Sequence, residues 1–371
     1  MSKTVFILGA GASKESGAPL MNDFLDVSRS LYENEKIDDL FKDDFTRVFS
    51  AIDNLYKIYP KTDLDLENIE RIYSLFEMGR FIKKLPGVDN WEDIDKVIDS
   101  LKVLILLTLD KTITIRTSNG RLYPDGSYKD FVSLIESIKD VDGSFPSIIS
   151  FNYDLALDCA LYYYHRKVDY CLGNNNNYDI KLMKLHGSLN WFKSTESNEI
   201  IPYDFSEINR WYFNIHALDE EDEEVEINLS KKFSKEKIIF KEKELLPIPI
   251  IIPPTWNKLE FSYNFEIAKV WQKVAEELSN AENIVIIGYS CPETDNFFKY
   301  FLALGILEEK LINKFWVFNP DQSIKERFES LLGPRIIKRY KFEKLPFSEA
   351  INFLKDNIIG KESKSPSVRW I

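Results

Sequence analysis

Thr4-Val5-Phe6-Ile7-Leu8-Gly9-Ala10-Gly11-Ala12-Ser13 is the stretch that decides the class of fold. Residues 4 to 8 are apolar or β-branched, have the length of a buried strand, and end abruptly in Gly-Ala-Gly. Past the glycines, Leu20, Met21, Phe24, Leu25 and Leu31 recur with helical spacing, and the small Ser28 lies on the same stripe. Strand, glycine loop and helix in that order form the first unit of an α/β protein. Absent side chains let backbone amides approach a pyrophosphate near a helix N-terminus, so Gly9, Ala10, Gly11, Ala12 and Ser13 are candidate nucleotide-binding residues. The run departs from the full Gly-x-Gly-x-x-Gly fingerprint. Lys14 occupies the place of the third glycine, and Ser16-Gly17-Ala18-Pro19 inserts a further turn before the helix. Alone, the run could equally be a tight structural turn.

Outward from this unit, residues 36 to 129 carry helical stripes such as Ile94, Val97, Ile98, Leu101 and Ile105, and read as a mainly helical insertion. A second series of units starts with a helix marked by Phe131, Leu134, Ile135 and Ile138. It continues with a strand at Ser147-Ile148-Ile149-Ser150-Phe151 and a helix from Asp154 to His165. Ile180 to Leu185, Pro249 to Ile252, Asn283 to Ile287, Lys314 to Phe318 and Arg335 to Tyr340 read as further strands. Helices near 262 to 279, 295 to 307 and 322 to 332 fall between some of them. The alternation predicts an α/β fold: a Rossmann-like, mostly parallel sheet with helices on both faces, plus the helical insertion. The expected division is residues 1–35 and 130–345 as the nucleotide-binding and catalytic domain, 36–129 as the insertion, and 346–371 as a C-terminal helix and tail. Asn174 to Asn177 reads as a loop tip, Asp219-Glu220-Glu221-Asp222-Glu223-Glu224 as a solvated loop, and Ser363 to Ser367 as the start of a tail.

In a parallel sheet, ligands bind beyond the carboxyl ends of the strands, so the residues just after each apolar run are the informative ones. After the first strand come Gly9 to Ser13, after the second Asn152-Tyr153-Asp154, and after the third His186-Gly187-Ser188. Gly288-Tyr289-Ser290 and Asn319-Pro320-Asp321 follow two later strands. All are mainly small or polar. His186 is one of only three histidines; its strand-end position beside a phosphate-type loop favours function over a structural imidazole. His165 closes an apolar helix and His216 lies near the acidic run, so both read as structural. The Asn152 amide can donate to and accept from a ribose hydroxyl or a water, and Asp154 could orient it or bind the ribose. Either could instead cap the following helix, Asp154 more so.

The bulk chemistry narrows the classes. The chain has 371 residues, 48 Lys+Arg against 60 Asp+Glu and a net charge of −12, which argues against direct nucleic-acid binding and an anionic membrane surface. Cys159, Cys171 and Cys291 are odd in number and lack Cys-x-x-Cys spacing, so neither a disulfide framework nor a zinc ribbon is expected, and a reducing cytoplasmic location fits. No apolar run approaches the ~18 residues of a membrane span.

Taken as an ordered set, these clusters resemble the sirtuin superfamily, and more closely its prokaryotic sirtuin-like NADase branch found in antiviral defence. The resemblance spans most of the chain. It runs through Gly9–Ser13, Ser16-Gly17-Ala18-Pro19, Phe151-Asn152-Tyr153-Asp154, Lys184-Leu185-His186-Gly187-Ser188, Ile287-Gly288-Tyr289-Ser290 and Phe318-Asn319-Pro320. It implies that Ala10 and its neighbours cradle the pyrophosphate of NAD, with Pro19 and Gly288 belonging to the cofactor-binding loops. It further implies that Asn152 and His186 are the catalytic pair, with Asp154 as a secondary member, and that Ser290 and Asn319 hold the phosphate and adenosine side. NAD is then the substrate, with no metal expected. A homo-oligomer and a partner such as a HerA-type ATPase are also implied. Family deacylases carry four zinc-binding cysteines and a Pro-Asp-Phe-Arg run; here there are three scattered cysteines, and Pro19-Leu20-Met21-Asn22 stands instead. The expected activity is hydrolysis of NAD to nicotinamide and ADP-ribose rather than deacylation. A non-catalytic NAD or ADP-ribose sensor is the alternative from another class, because it would use the same glycine loop.

Overall fold

The computed structural model describes residues 3–57, 64–124, 126–140, 143–173, 177–197, 199–215, 224–225, 238–252, 265–292, 296–305 and 311–359. His216, Asn174 to Asn176, residues 219–223 of the acidic run and Ser363 to Ser367 lie outside them.

The central strand is β1 (Thr4–Leu8), and all five of its residues are buried, which requires layers on both of its faces. It pairs in parallel with β4 (Ser147–Ser150) on one side and with β12 (Asn283–Ile287) on the other. Beyond β4 lie β6 (Ile180–Lys184) and the two-residue β5 (Val168–Asp169); beyond β12 lie β13 (Lys314–Phe318) and β14 (Tyr340–Glu343). The resulting seven-stranded sheet, β14-β13-β12-β1-β4-β6-β5, is parallel throughout. Chain order runs outward from β1 through β4 and then returns to β12 on the opposite side. The fold is therefore α/β and Rossmann-like, and its topological switch point lies between β1 and β12.

Helices supply the two layers. α6 (Gly126–Ser137), α7 (Ala156–Tyr163) and α12 (Phe347–Leu354) pack together, and Phe131 of α6 meets Phe6 of β1 edge-on, with ring centroids 5.2 Å apart. The second layer is built from α9 (Phe265–Ser279) and α10 (Asn296–Gly305), which contact each other. At the amino ends of the strands, the Glu277 carboxylate of α9 is buried among Lys3, Lys181 and the Ser147 hydroxyl. Burial by itself would raise its pKa, but hydrogen bonds from Lys181, Lys3 and Ser147 prevail and hold it down at about 2.

The insertion is helical up to residue 112: α3 (Lys42–Tyr56), α4 (Ile69–Phe81) and α5 (Asp93–Thr112). In α3, Phe45, Val48, Phe49, Ile52 and Leu55 form the buried stripe that packs on α5. Asn68 caps α4 by accepting from the Glu70 and Arg71 amides. α5 also holds α2 (Phe24–Glu33), through the buried hydroxyl pair Ser28–Thr108 at 2.8 Å. A hairpin, β2 (Ile115–Ser118) and β3 (Arg121–Pro124), follows the helices, and α6 begins at Gly126.

Two expected strands also belong elsewhere. Pro249 to Ile252 lies not in the parallel sheet but at the end of β11 (Lys243–Ile251), in a second, antiparallel sheet ordered β10-β11-β7-β8. Its other members are β7 (Gly187–Ser194), β8 (Ile200–Pro202) and β10 (Ile238–Phe240). Arg335 to Tyr340 is a turn and a short 3-10 helix, and the strand begins where that stretch ends, at Tyr340.

Candidate active site

The register of the parallel sheet brings the strand ends into line. Lys184, Ser150, Leu8, Ile287 and Phe318 are successive cross-strand partners. The first residue past each strand then donates to the last carbonyl of the next strand: Leu185 N to Ser150 O at 2.9 Å, Phe151 N to Leu8 O at 2.9 Å, Gly9 N to Ile287 O at 3.0 Å and Gly288 N to Phe318 O at 3.0 Å. This ladder sets His186, Asn152, the glycine loop and Gly288 side by side along one rim, with the glycine loop at the switch point.

At that point the two glycine segments touch. A Cβ on Gly9 would lie 2.5 Å from Tyr289 Cα, and one on Gly11 would lie 2.8 Å from Gly288 Cα. Gly288 itself has φ +68, and a Cβ there would meet Ala12 N at 2.4 Å. The missing side chains are thus explained first by the close approach of two loops. That packing also uses amides: Gly9 N donates to Ile287 O, Gly11 N to Gly288 O and Ala12 N to Gly9 O. Within Gly9–Ala12, the Ala10 amide is the one left without a backbone acceptor among the described residues, at the first turn of the short α1 (Ala10–Ser13). Gly9, Gly11 and Ala12 thus spend their amides within the fold.

Asn152 and Asp154, both in the loop after β4, lie beside Ser13 of α1. The Asn152 side chain donates through Nδ2 to Gly9 O at 3.0 Å and to Ser13 Oγ at 2.9 Å, and its backbone N–H donates to Ser150 Oγ at 3.1 Å. Because a carbonyl can only accept, the contact with Gly9 O fixes which end of the amide faces the loop. Both Nδ2 protons therefore clamp the glycine loop to the end of β4, and the Oδ1 acceptor is the part of the amide not used in this clamp. Asp154 accepts from Ala156 N, the first residue of α7, at 3.0 Å. Burial pushes its pKa up, opposed by Lys184, Ser13 and the Ala156 amide.

His186 is held from two sides. Its carbonyl accepts from Ile252 N at 2.8 Å, where β11 closes on the start of β7. Its ring packs edge-on against Phe151, centroids 5.1 Å apart, and tilted against Tyr153 at 6.0 Å. The Tyr153 hydroxyl reaches Ile252 O at 3.1 Å. Phe151 in turn stacks on Tyr289 at 4.3 Å, and both rings meet Phe298 edge-on. The aromatic group ties the loops after β4, β6 and β12 to α10. Sequence reading places Phe151 at the end of a strand and Tyr289 between Gly288 and Ser290, and names neither as a site residue; their aromatic character at a strand end is the available signal.

Behind His186, the fully buried Lys184 ammonium ion-pairs with Asp158 at 2.7 Å and donates to Asp154 O and Ser188 Oγ at 2.7 and 2.8 Å. Tyr170 donates to the other Asp158 oxygen. Buried ions with several partners of this kind fix the geometry of a loop rather than add much net stability.

The remaining candidates lie further along the rim. Pro19 is buried past the turn whose Ala18 N donates to Ser13 O at 3.1 Å. Ser290 is exposed, and its carbonyl lies 3.5 Å from Arg327 Nη1. Asn319 is committed to loop structure: Nδ2 donates to Tyr289 O at 3.4 Å and Oδ1 accepts from Asp321 N at 2.9 Å. Cys159, Cys171 and Cys291 are buried free thiols. Among the described residues no group of His, Cys, Asp or Glu is arranged to hold a metal ion, and no helix is long and apolar enough to cross a membrane.

No family model matches the chain, and no curated protein matches it. Among solved structures it is similar to a Sir2 homologue in complex with NAD, at 14% identity and TM-score 0.43 over 97% of this chain and 90% of that one. It is also similar to an ADP-ribose complex of a variant Sir2 homologue, at 13% identity and TM-score 0.40 over 98% and 95% of the two chains. A third similar structure is Sir2Tm bound to a propionylated peptide, at 12% identity and TM-score 0.37 over 98% and 94%.

Proposed function

We propose that the chain is an NAD glycohydrolase that cleaves NAD to nicotinamide and ADP-ribose. One observation carries the reading: at the switch point of a Rossmann-ordered sheet, a glycine loop is clamped by Asn152, with His186 presented by the next strand along. The motif order read from the sequence supports it. Asn152 and His186 are the catalytic pair in this reading, with Asp154 as a secondary member. Ala10 N–H meets the pyrophosphate with Gly9, Gly11, Ala12, Ser13, Pro19 and Gly288 shaping the loop, while Ser290 and Asn319 border the adenosine side.

Cleavage breaks the bond between the nicotinamide nitrogen and the ribose carbon, and the bonding pair leaves with the ring nitrogen. Positive charge then develops on the ribose, as in glycoside hydrolysis. Asn152 Oδ1, the acceptor not spent on the clamp, orients a ribose hydroxyl or the attacking water. His186 takes the proton released as water bonds to the carbon, a role suited to an imidazole. Nicotinamide leaves as a neutral molecule, so the protein need not protonate it. In this proposal the enzyme works in the cytoplasm as a homo-oligomer, beside a partner such as a HerA-type ATPase, and depletes NAD in antiphage defence.

The test is release of nicotinamide from NAD by the purified chain, with and without the product of the neighbouring gene. Release should disappear in His186→Ala and in Asn152→Ala while both proteins stay folded. Unchanged turnover in both variants would overturn the site, whereas saturable NAD binding without release by the unaltered chain would make it a sensor.

A further inference from the structure

The geometry points to Lys184 as the positioning residue that holds His186 and Asn152 in a fixed relation: its ammonium ties the turn that carries the histidine to the loop that carries the asparagine. What this does for catalysis rests on the NAD reading above; the positioning itself does not.

Lys184 is the last residue of β6, two before His186. The chain turns at Gly187, whose φ is +82 and where a Cβ would meet Ile250 O at 2.1 Å. The turn brings Ser188 beside Lys184, and Nζ donates to Ser188 Oγ at 2.8 Å. His186 is therefore the middle residue of the turn 184–188, which is closed by the side chains at its two ends. On the other side, Nζ donates to Asp154 O at 2.7 Å, two residues past Asn152 in the loop after β4. The third contact is the Asp158 carboxylate of α7, also at 2.7 Å. An ammonium has three protons and no lone pair, and here acceptors from three segments take them. Both ionic side chains are 1% exposed, so water does not compete for these protons.

The direct bonds from β7 to the Asn152 loop need this reinforcement. Leu189 N donates to Tyr153 O at 3.0 Å, and Ser188 Oγ donates to the same oxygen at 3.4 Å. Bonds that share one acceptor fix a distance and leave the two segments able to pivot about it. The ammonium adds a second anchor, at Asp154 O, and removes the pivot. That is a reason for burying a charge here: an ion pair adds little net stability over apolar packing, but three directed bonds set an orientation that apolar packing leaves loose.

Lys184→Met alone strands the Asp158 charge, so the decisive variant is full-length Lys184→Met/Asp158→Leu, in which that charge is gone and much of the stability returns. At restored stability, kcat for nicotinamide release should stay ~10-fold or more below that of the unaltered chain, while KM for NAD stays within about twofold. A displacement of about 1 Å between the two catalytic side chains acts on the reaction more than on binding. The chain has three histidines, so isotope labelling of histidine gives a sparse NMR spectrum. The imidazole signal of His186, assigned by its loss in His186→Ala, should move in the double variant, and that of His165 should not. Ser188→Ala removes one of the three acceptors and keeps the ion pair; it should move the same signal and lower kcat in the same way, and it decides the question if the double variant does not fold. Leu101→Ala, which opens a cavity in the buried face of α5, should lower stability and leave both readouts in place. An unmoved His186 signal, a kcat that returns together with stability, or an equal effect in Leu101→Ala would overturn the proposal. A His186 signal that moves as expected in a protein that does not turn over NAD would sustain the positioning and reject the NAD reading.

Discussion

Removing the Asn152 side chain tests the clamp and the chemistry together. In Asn152→Ala, the Nδ2 bonds to Gly9 O and Ser13 Oγ are lost. Neither group is left without a partner, since Gly9 O still receives Ala12 N and Ser13 Oγ still has Tyr128. The cost is therefore that of two net hydrogen bonds, about 2 kcal/mol together, without the larger penalty of a buried unsatisfied group. For a chain of this size that is a fall in unfolding midpoint of ~2–5 °C, readable by calorimetry. Asn152→Asp keeps the shape but turns an oxygen toward Gly9 O at a 3.0 Å position, so it should cost at least as much. Nicotinamide release should fall in both variants far more than stability does. An unchanged midpoint in Asn152→Ala would refute the clamp, and full NAD turnover in a destabilised variant would reduce Asn152 to a structural residue.

Further outcomes follow from other parts of the molecule. Gly288→Ala places a Cβ 2.4 Å from Ala12 N at φ +68, so it should cost more than the ~1–2 kcal/mol of left-handed strain alone and weaken NAD binding measured by calorimetry. Lys184→Met leaves Asp158 as an uncompensated buried charge and should cost about 3–5 kcal/mol in denaturant unfolding; adding Asp158→Leu should restore much of that. Glu277, held at about 2 against an ordinary 4.5, contributes stability that is fully present above pH 4.5 and lost as pH falls through 2. The depression corresponds to up to about 3 kcal/mol. The stability gap between the unaltered chain and Glu277→Gln should accordingly close between pH 5 and pH 2 in acid-unfolding curves.

Much of the sheet was legible because its central strands are buried on both faces. Asn283 to Ile287 and Lys314 to Phe318 stand out as apolar runs and are strands over the same residues in the structure. The errors share a cause. Pro249 to Ile252 has the same local character, but its partner is the strand that starts at Gly187, and an apolar run does not specify which strand it joins. Tyr340 to Glu343 is an edge strand with half-buried, mixed side chains, so the more apolar Ile336-Ile337 drew attention instead. The strands of the hairpin at 115–124 are only four residues each, too short to show a period.

For the site, periodicity and strand ends were enough to collect Gly9–Ser13, Asn152, His186, Gly288 and Asn319, since a parallel sheet places the end of every strand on one rim. The sequence could not say what each group is already bonded to. That Gly9, Gly11 and Ala12 spend their amides within the fold, that Asn152 spends both of its protons on the glycine loop, and that Asn319 serves its own turn are outcomes of strand order and register. The same holds for Lys184, whose partners come from three other segments of the chain. A sequence pattern reports which side of an element faces the interior. A hydrogen-bond partner is set by how distant elements are brought to within 3 Å, and only the tertiary structure determines that.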